Sequence, residues 1–324
     1  MANASTIIDV TDLRKTYHSG WLRRRPIHAL RGLSLTVHPG EIFGLLGPNG
    51  AGKTTFIKIL LGIARKTSGE AMMLGHRAGV RFSRREIGYL PENLRIPRYH
   101  TARSALDFYG QLSGMPPREI RLRGDKLLEL VGLLERARDN ISQYSKGMLQ
   151  RLGLAQALLH QPRLIILDEP TDGLDPVGRA QVRTLLQRLK DEGHTVFLNS
   201  HILQEVELVC DRVAILDHGE LRFVGAVDTL REQLSGDCEK DFELTVEVRG
   251  EKSRLMSAMA QCSIQSWQPT SPSQYQVVVR FQDQQRVDQF VDGLRAAEIS
   301  ILNLQRQRLT LEDAFLKLLA SKKA

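Results

Sequence analysis

Gly47-Pro48-Asn49-Gly50-Ala51-Gly52-Lys53-Thr54 is the stretch on which the fold turns. It follows the apolar run Ile42–Leu46, opens the helical pattern Phe56–Leu61, and has the spacing G-x-x-x-x-G-K-[ST]. Glycines let the backbone bend so that successive N–H groups point at one set of phosphate oxygens. Lys53 adds a point charge for β and γ phosphates, and the Thr54 hydroxyl can ligate Mg2+. A helix starting at Lys53 directs its positive end at the same anion. Thr55 completes the set of residues expected around the phosphates. The alternative is an ordinary glycine turn; the strand before it and the helix after it argue against that.

Arg163-Leu164-Ile165-Ile166-Leu167-Asp168-Glu169-Pro170 supplies a matching second half. A buried strand ending in a carboxylate brings Asp168 beside a metal, directly or through water. Glu169, one residue on, can orient or deprotonate the attacking water. Two acids after an apolar strand can also be a plain helix N-terminus. With the phosphate loop upstream, phosphoryl chemistry is the better reading.

Outward from these segments, short apolar runs alternate with helical patterns from Ile7 to Gly236, which implies an α/β fold. Ile42–Leu46, Leu164–Leu167, Val196–Asn199 and Val213–Leu216 read as strands, their continuous apolar character suiting parallel strands covered on both faces. The arginine-rich, helix-favouring segment Thr101–His160 is too long for one crossover and implies an inserted helical subdomain, over about residues 95–160. After Ser235-Gly236 the pattern becomes strand (Phe242–Val248), helix (Glu251–Gln261), two strands (Ile264–Gln268, Gln276–Phe281), helix (Gln284–Ala297) and strand (Ile299–Leu304). This βαββαβ order predicts a small ferredoxin-like α+β domain, closed by an amphipathic helix from Thr310. The boundaries expected are 5–236 for the first domain and 240–324 for the second.

The bulk composition, 42% hydrophobic and 25% charged, is that of a soluble globular chain. No run of roughly 18 apolar residues is present to span a bilayer, and the N-terminus lacks the order of a secretory signal. A cytoplasmic protein is expected. Cys210, Cys238 and Cys262 stand too far apart for a C-x-x-C pair, so they read as small hydrophobes rather than a disulfide framework or zinc site. The net charge of +8 is concentrated early: arginines 77, 81, 84, 85, 95, 98 and 103 face only Glu86 and Glu92, and Arg23-Arg24-Arg25 adds more. A solvated face and an orientation toward anionic headgroups are both open. No aromatic–basic interleaving accompanies the charge, so nucleic acid is not an expected partner.

Together with three further segments, these elements resemble the nucleotide-binding subunit of ATP-binding cassette (ABC) transporters over roughly Ile7–Gly236. Tyr144-Ser145-Lys146-Gly147-Met148-Leu149-Gln150-Arg151 is similar to the family's signature, with Ser145 and Gly147 matching and Lys146 and Met148 departing from L-S-G-G-Q. Read alone it is a serine-capped helix start. Gly173-Leu174-Asp175-Pro176 resembles the D-loop, and Asn199-Ser200-His201 the switch histidine segment. Tyr17, placed after the first expected strand, matches the adenine-stacking aromatic, the alternative being a simple core or surface tyrosine. Gly88-Tyr89-Leu90-Pro91-Glu92 carries glutamate where the family usually has glutamine; Glu92 can still meet Mg2+ or water through oxygen.

The resemblance implies ATP and Mg2+ as ligands, with Glu169, His201 and Lys53 in catalysis and Thr54, Asp168 and Glu92 toward the metal. It implies a homodimer in which Ser145, Gly147 and Asp175 of one chain complete the other's site. The S-K-G-M form resembles the export branch that pairs with ABC-2-type transmembrane permeases, giving peripheral association with the cytoplasmic face of the membrane. Leu311–Leu316 resembles that branch's C-terminal extension, for which dimer stabilisation, regulation and packing against the first domain all stand. Competing readings are a non-transport ABC ATPase acting on a macromolecular assembly, a small P-loop kinase or GTPase, and an ATP-binding regulator without turnover. The first usually carries two cassettes or a coiled-coil insert. A GTPase needs N-K-x-D, and an intact Glu169 argues against the regulator.

Overall fold

The computed structural model describes residues 6–19, 25–230, 242–259 and 262–307. The chain divides into two compact units, Met1–Val227 and Asp228–Ala324. In chain order the first holds β1 (Ile8–Ser19), β2 (Arg25–Val37), β3 (Ile42–Leu46), α1 (Lys53–Leu60), β4 (Ser68–Met73), β5 (His76–Arg77), α2 (Arg81–Arg85) and β6 (Ile87–Leu90). There follow α3 (Ala102–Leu112), α4 (Pro117–Leu130), α5 (Lys146–Leu158), β7 (Leu164–Asp168), α6 (Pro176–Asp191), β8 (Thr195–Asn199), α7 (Leu203–Val209), β9 (Arg212–Asp217) and β10 (Glu220–Ala226).

Every residue of β3, β7 and β8 is buried, as their unbroken apolar runs require. They lie in a six-stranded sheet of order β10-β9-β3-β8-β7-β6, parallel except for the β9–β10 pair. Phe197 of β8 stacks on Phe43 of β3 and packs against Phe56 of α1, each at 5.8 Å between ring centroids. This buried trio presses α1 onto the sheet and so fixes the helix that follows the phosphate loop. Removing one such ring from a closed core costs about 3–5 kcal/mol. Because β3, β6, β7 and β8 run in parallel, their carboxyl ends share one edge, where α/β sheets bind ligands.

A second, antiparallel sheet has the order β2-β1-β4-β5, and sequence patterning did not reveal it. Bulges between Val10 and Leu13 and between Lys15 and Thr16 break the period-2 alternation in β1. Tyr17 consequently lies inside β1, opposite Ile27, rather than after the first strand. The helical segment holds α3, α4 and α5. Thr101 caps α3 in a reciprocal box with Ser104, and Pro117 starts α4.

The second unit contains β11 (Phe242–Arg249), α8 (Lys252–Ala258), β12 (Ser263–Ser271), β13 (Gln274–Phe281), α9 (Gln284–Ala296) and β14 (Ser300–Gln307). Its strands pair antiparallel in the order β12-β13-β11-β14, the arrangement a split βαβ repeat produces. Leu244, Val246 and Val248 alternate inward from β11 and meet Val277, Val279, Leu255, Phe290 and Leu294. The edge strand β12 is mostly exposed and carries Pro269, which discourages pairing with another chain.

Cys210 is buried, its thiol pushed up by desolvation, and Cys262 is half-buried. Cys238, Arg23-Arg24, the helix expected from Thr310 and Leu311–Leu316 lie outside the described residues. Among the described residues no helix is long and apolar enough to cross a membrane.

Candidate nucleotide site

The loop after β3 is shaped by what surrounds it. Gly47 is buried, and a Cβ there would run into the Leu216 carbonyl of β9. Only glycine fits this approach. The Ala51 N–H donates to the Pro48 carbonyl at 3.1 Å, which closes the turn before α1 begins at Lys53. Asn49 and Gly50 are exposed, Ala51 is buried, and Thr54 and Thr55 are half-buried in the first turn of α1. The Lys53 side chain folds into the loop, its ammonium donating to the Gly47 carbonyl at 2.5 Å and the Pro48 carbonyl at 3.3 Å. Burial pushes its pKa below the usual lysine range, opposed by the charges of Glu169, Asp168 and Glu92. Those three carboxylates therefore act on one cation.

Asp168 ends β7 and is 1% exposed. Burial raises its carboxyl above the ordinary range; Asn199 and Lys53 pull it down while Glu92 and Glu169 push it further up. Glu169 follows with a left-handed backbone, φ 54°, a conformation that costs a non-glycine residue of order 1–3 kcal/mol and gathers at functional sites. It is held on both sides. Its N–H donates to the Asn199 carbonyl at 2.9 Å, and its own carbonyl accepts from Gln150 Nε2 at 3.0 Å. Glu169 Oε2 accepts from His201 Nδ1 at 2.8 Å and from the His201 backbone N–H at 3.3 Å. Since a carboxylate only accepts, Nδ1 carries the proton, and His201 Nε2 donates to a phosphate only when the ring is charged.

Glu92 is exposed beyond β6 and acts at longer range. Its charge, with that of Asp168, adds to burial in pushing the Tyr89 phenol up to about 12. Tyr17 is 39% exposed, with the Lys15 ammonium 4.5 Å from its ring centroid. It stands on β1 opposite Ile27, two residues from Ala29, whose carbonyl lies 2.5 Å from where a Gly52 Cβ would be.

Ser145, Gly147 and Asp175 form a separate group. Ser145 caps α5, accepting from the Met148 N–H at 3.2 Å, and Asp175 caps α6, accepting from the Gly178 N–H at 2.8 Å. With Lys146, Gly173 and Leu174 they line an open cleft of about 580 Å³. Lys146 pairs with Asp172 at 2.6 Å and holds that carboxyl below its ordinary range, with His201 adding to the effect. A Cβ on Gly173 would stand 2.5 Å from Lys146 Cδ, so glycine lets the two segments lie side by side. Among the described residues no hydrogen bond or ion pair joins Ser145, Gly147 or Asp175 to Lys53 or Asp168.

Thr54, Asp168 and Glu92 offer oxygen donors only, which suits Mg2+. Among the described residues no three His, Cys, Asp or Glu side chains converge on one point. Asn199 Oδ1, a buried acceptor at this spot with no partner, also fits a ligand surrounded by donors. Two residues of this site, Gln150 and Asn199, stand in segments quoted from the sequence but receive no role there. Each acts across space on the acids, and only the register of β7 on β8 or the packing of α5 brings it there.

The ABC transporter family profile matches residues 30–172. An uncharacterised ABC transporter ATP-binding protein of Nostoc sp. (strain PCC 7120) is 47% identical over 70% of this chain and 69% of its own length. A second, from Synechocystis sp. (strain PCC 6803), is 39% identical over 97% of this chain and 84% of its own, and so extends through the second unit. A Nod factor export ATP-binding protein of Rhizobium sp. (strain N33) is 39% identical over 64% of this chain and 69% of its own. Among solved structures, an ATP-binding subunit of an ABC transporter superposes with a TM-score of 0.63 at 31% identity, over 71% of this chain and 94% of that one. An ATP-binding cassette solved as a dimer in a post-hydrolysis state with ADP and Pi gives 0.62 at 25%, over 68% and 98%. With the glycine-rich loop, Asp168, Glu169 and His201 brought to one sheet edge, the chain belongs to the family of ABC transporter ATP-binding proteins and is an ATPase.

Proposed function

We propose that the chain hydrolyses ATP in a two-chain sandwich and drives export through a separate ABC-2-type transmembrane permease, bound peripherally at the cytoplasmic face of the membrane. The observation that carries this reading is the division of the site. Lys53, Asp168, Glu169 and His201 gather at the strand ends, while Ser145, Gly147 and Asp175 line an outward-facing cleft of about 580 Å³ with neither Lys53 nor the two acids in its wall. Two copies facing one another bring each cleft to the other's phosphates. The dimeric cassette among the similar structures and the export relative support the same view.

In this reading the loop amides and Lys53 hold the β and γ phosphates, and the α1 N-terminus adds its dipole. Glu169 takes the proton of the attacking water, positioned by its bonds to Asn199, Gln150 and His201. His201 reports the state of the γ-phosphate to Glu169 through their shared bond. Thr54 and Asp168, with Glu92 farther out, would hold Mg2+, which when bound neutralises charge developing on the phosphate oxygens. Tyr17 stacks on the adenine.

ATP hydrolysis by the purified chain beside Glu169→Gln, with molecular mass followed by light scattering, tests this. The variant is expected to lose turnover by about 10²- to 10⁴-fold and to dimerise only with ATP. Wild-type turnover as a monomer, with the variant unaffected, would return the chain to a single-site enzyme.

A further inference from the structure

We propose that Asn199 is a positioning residue for the divalent metal: it fixes one Asp168 oxygen and presents its own free oxygen to the hydration shell of the ion. This rests on the reading of Asp168 as a metal ligand. Asn199 is the last residue of β8 and is 2% exposed. The register sets it between Leu45, at the end of the phosphate-loop strand, and Asp168, at the end of β7. Its Nδ2 donates to Asp168 Oδ1 at 2.5 Å, and its backbone carbonyl receives the Glu169 N–H. One residue thus grips the metal-binding acid by its side chain and the water-activating acid by its backbone.

The orientation of the amide follows from chemistry. An ionised carboxylate only accepts, so the nitrogen faces Asp168 and the oxygen is the free end. That oxygen is buried and has no partner among the described residues, a state native proteins avoid unless a water or ligand supplies the donor. Its neighbours on the same edge are Asp168 and the phosphate loop. Asn199 thereby orients the Asp168 carboxylate, whose remaining lone pairs would be available to the ion. Outer-sphere partners of this kind commonly change metal affinity about 10- to 100-fold when removed.

The test is calorimetric titration of the full chain with adenylyl-imidodiphosphate, once with MgCl2 and once with EDTA, for wild type, Asn199→Ala and Asn199→Leu. Leucine keeps the volume and alanine leaves a cavity, so a shared outcome reports the lost hydrogen bonds rather than packing. Wild type is expected to bind more tightly with Mg2+. Both variants are expected to lose about tenfold or more of that gain while keeping wild-type affinity in EDTA. Variants that keep the full Mg2+ gain, or that weaken equally with and without Mg2+, overturn the proposal and leave Asn199 a structural residue. A wild type indifferent to Mg2+ overturns the reading of Asp168 itself, which distinguishes the two failures.

Discussion

The two groups of functional side chains in the first unit are built on opposite principles. At the sheet edge Lys53, Asp168, Glu169 and Asn199 are all buried and tied to one another or to backbone at 2.5–3.3 Å. At the N-termini of α5 and α6, by contrast, the Lys146–Asp172 pair has side chains 64% and 44% exposed, and the cleft around it is open. Buried polar groups cost free energy unless they are paired, so the first group is preorganised by a bond network that leaves Asn199 Oδ1 as its open end among the described residues. The second is left as two capped helix ends around an open cleft. That contrast suits the two-chain site proposed above, with one half held rigid by its own bonds and the other exposed to a second copy.

A single helix joins the halves. Helix α5 starts at the cleft with Ser145, reaches the Glu169 carbonyl through Gln150, and ends beside His160. Replacing Gln150 by leucine gives the largest expected break. It strands the Glu169 carbonyl without its donor, at a stability cost of about 1–3 kcal/mol, and frees a residue held at φ 54°. Turnover should fall about tenfold or more, at 1.4 kcal/mol per factor of ten, with KM for ATP near the wild-type value. Steady-state kinetics beside urea unfolding separates the two effects. A Gln150→Leu enzyme with normal kcat would mean that the cleft and the acid are not coupled along α5.

This asymmetry also explains what could be read without a structure. The phosphate loop and the Asp168–Glu169 pair are contiguous, and each has a local reason for its residue order, so composition and spacing expose them. Strands β3, β7, β8 and β9 announce themselves because burial on both faces favours unbroken apolar runs; β6, only four residues long, does not. The antiparallel β1–β2–β4–β5 sheet does not, because its bulges shift the alternation. Tyr17 was therefore assigned beyond a strand that in fact contains it. Gln150 and Asn199 were passed over for another reason. Both are polar residues in apolar surroundings whose partners lie 19 and 31 positions away, and only register and packing identify those partners.

The exposed half is sharpened by Lys146→Ala. Because the Lys146–Asp172 pair is open to solvent, its loss should move the urea unfolding free energy by no more than about 1 kcal/mol. Nucleotide affinity of the single chain should stay at the wild-type value, since no phosphate-loop group touches Lys146. Turnover should fall severalfold, because the pair aligns the Ser145 and Asp175 caps against each other across Gly173. Calorimetric binding and ATPase assays on the same preparation read both. Weakened nucleotide binding by the single chain would show that the two groups are less separate than their burial implies.

The smallest effect lies at the far end of α5. His160 Nε2 is 3.0 Å from the Ile87 carbonyl at the start of β6. A carbonyl only accepts, so Nε2 carries a proton. Burial depresses the ring's pKa below the ordinary 6.5, the bond to Ile87 opposing the shift and the Arg123 charge adding to it. The folded chain therefore takes up this proton at lower pH than the unfolded chain. The stabilisation is complete above the unfolded value and is lost as pH falls through 6.5 toward the depressed folded value. Denaturant midpoints should drop between pH 7.5 and pH 5.5. His160→Gln keeps an N–H for the Ile87 carbonyl but has nothing to titrate, so it should flatten that part of the slope while leaving turnover at pH 7.5 unchanged. If the variant and wild type lose stability in parallel, the anchor between α5 and the strand leading to Glu92 is not titrating, and other groups carry the acid sensitivity.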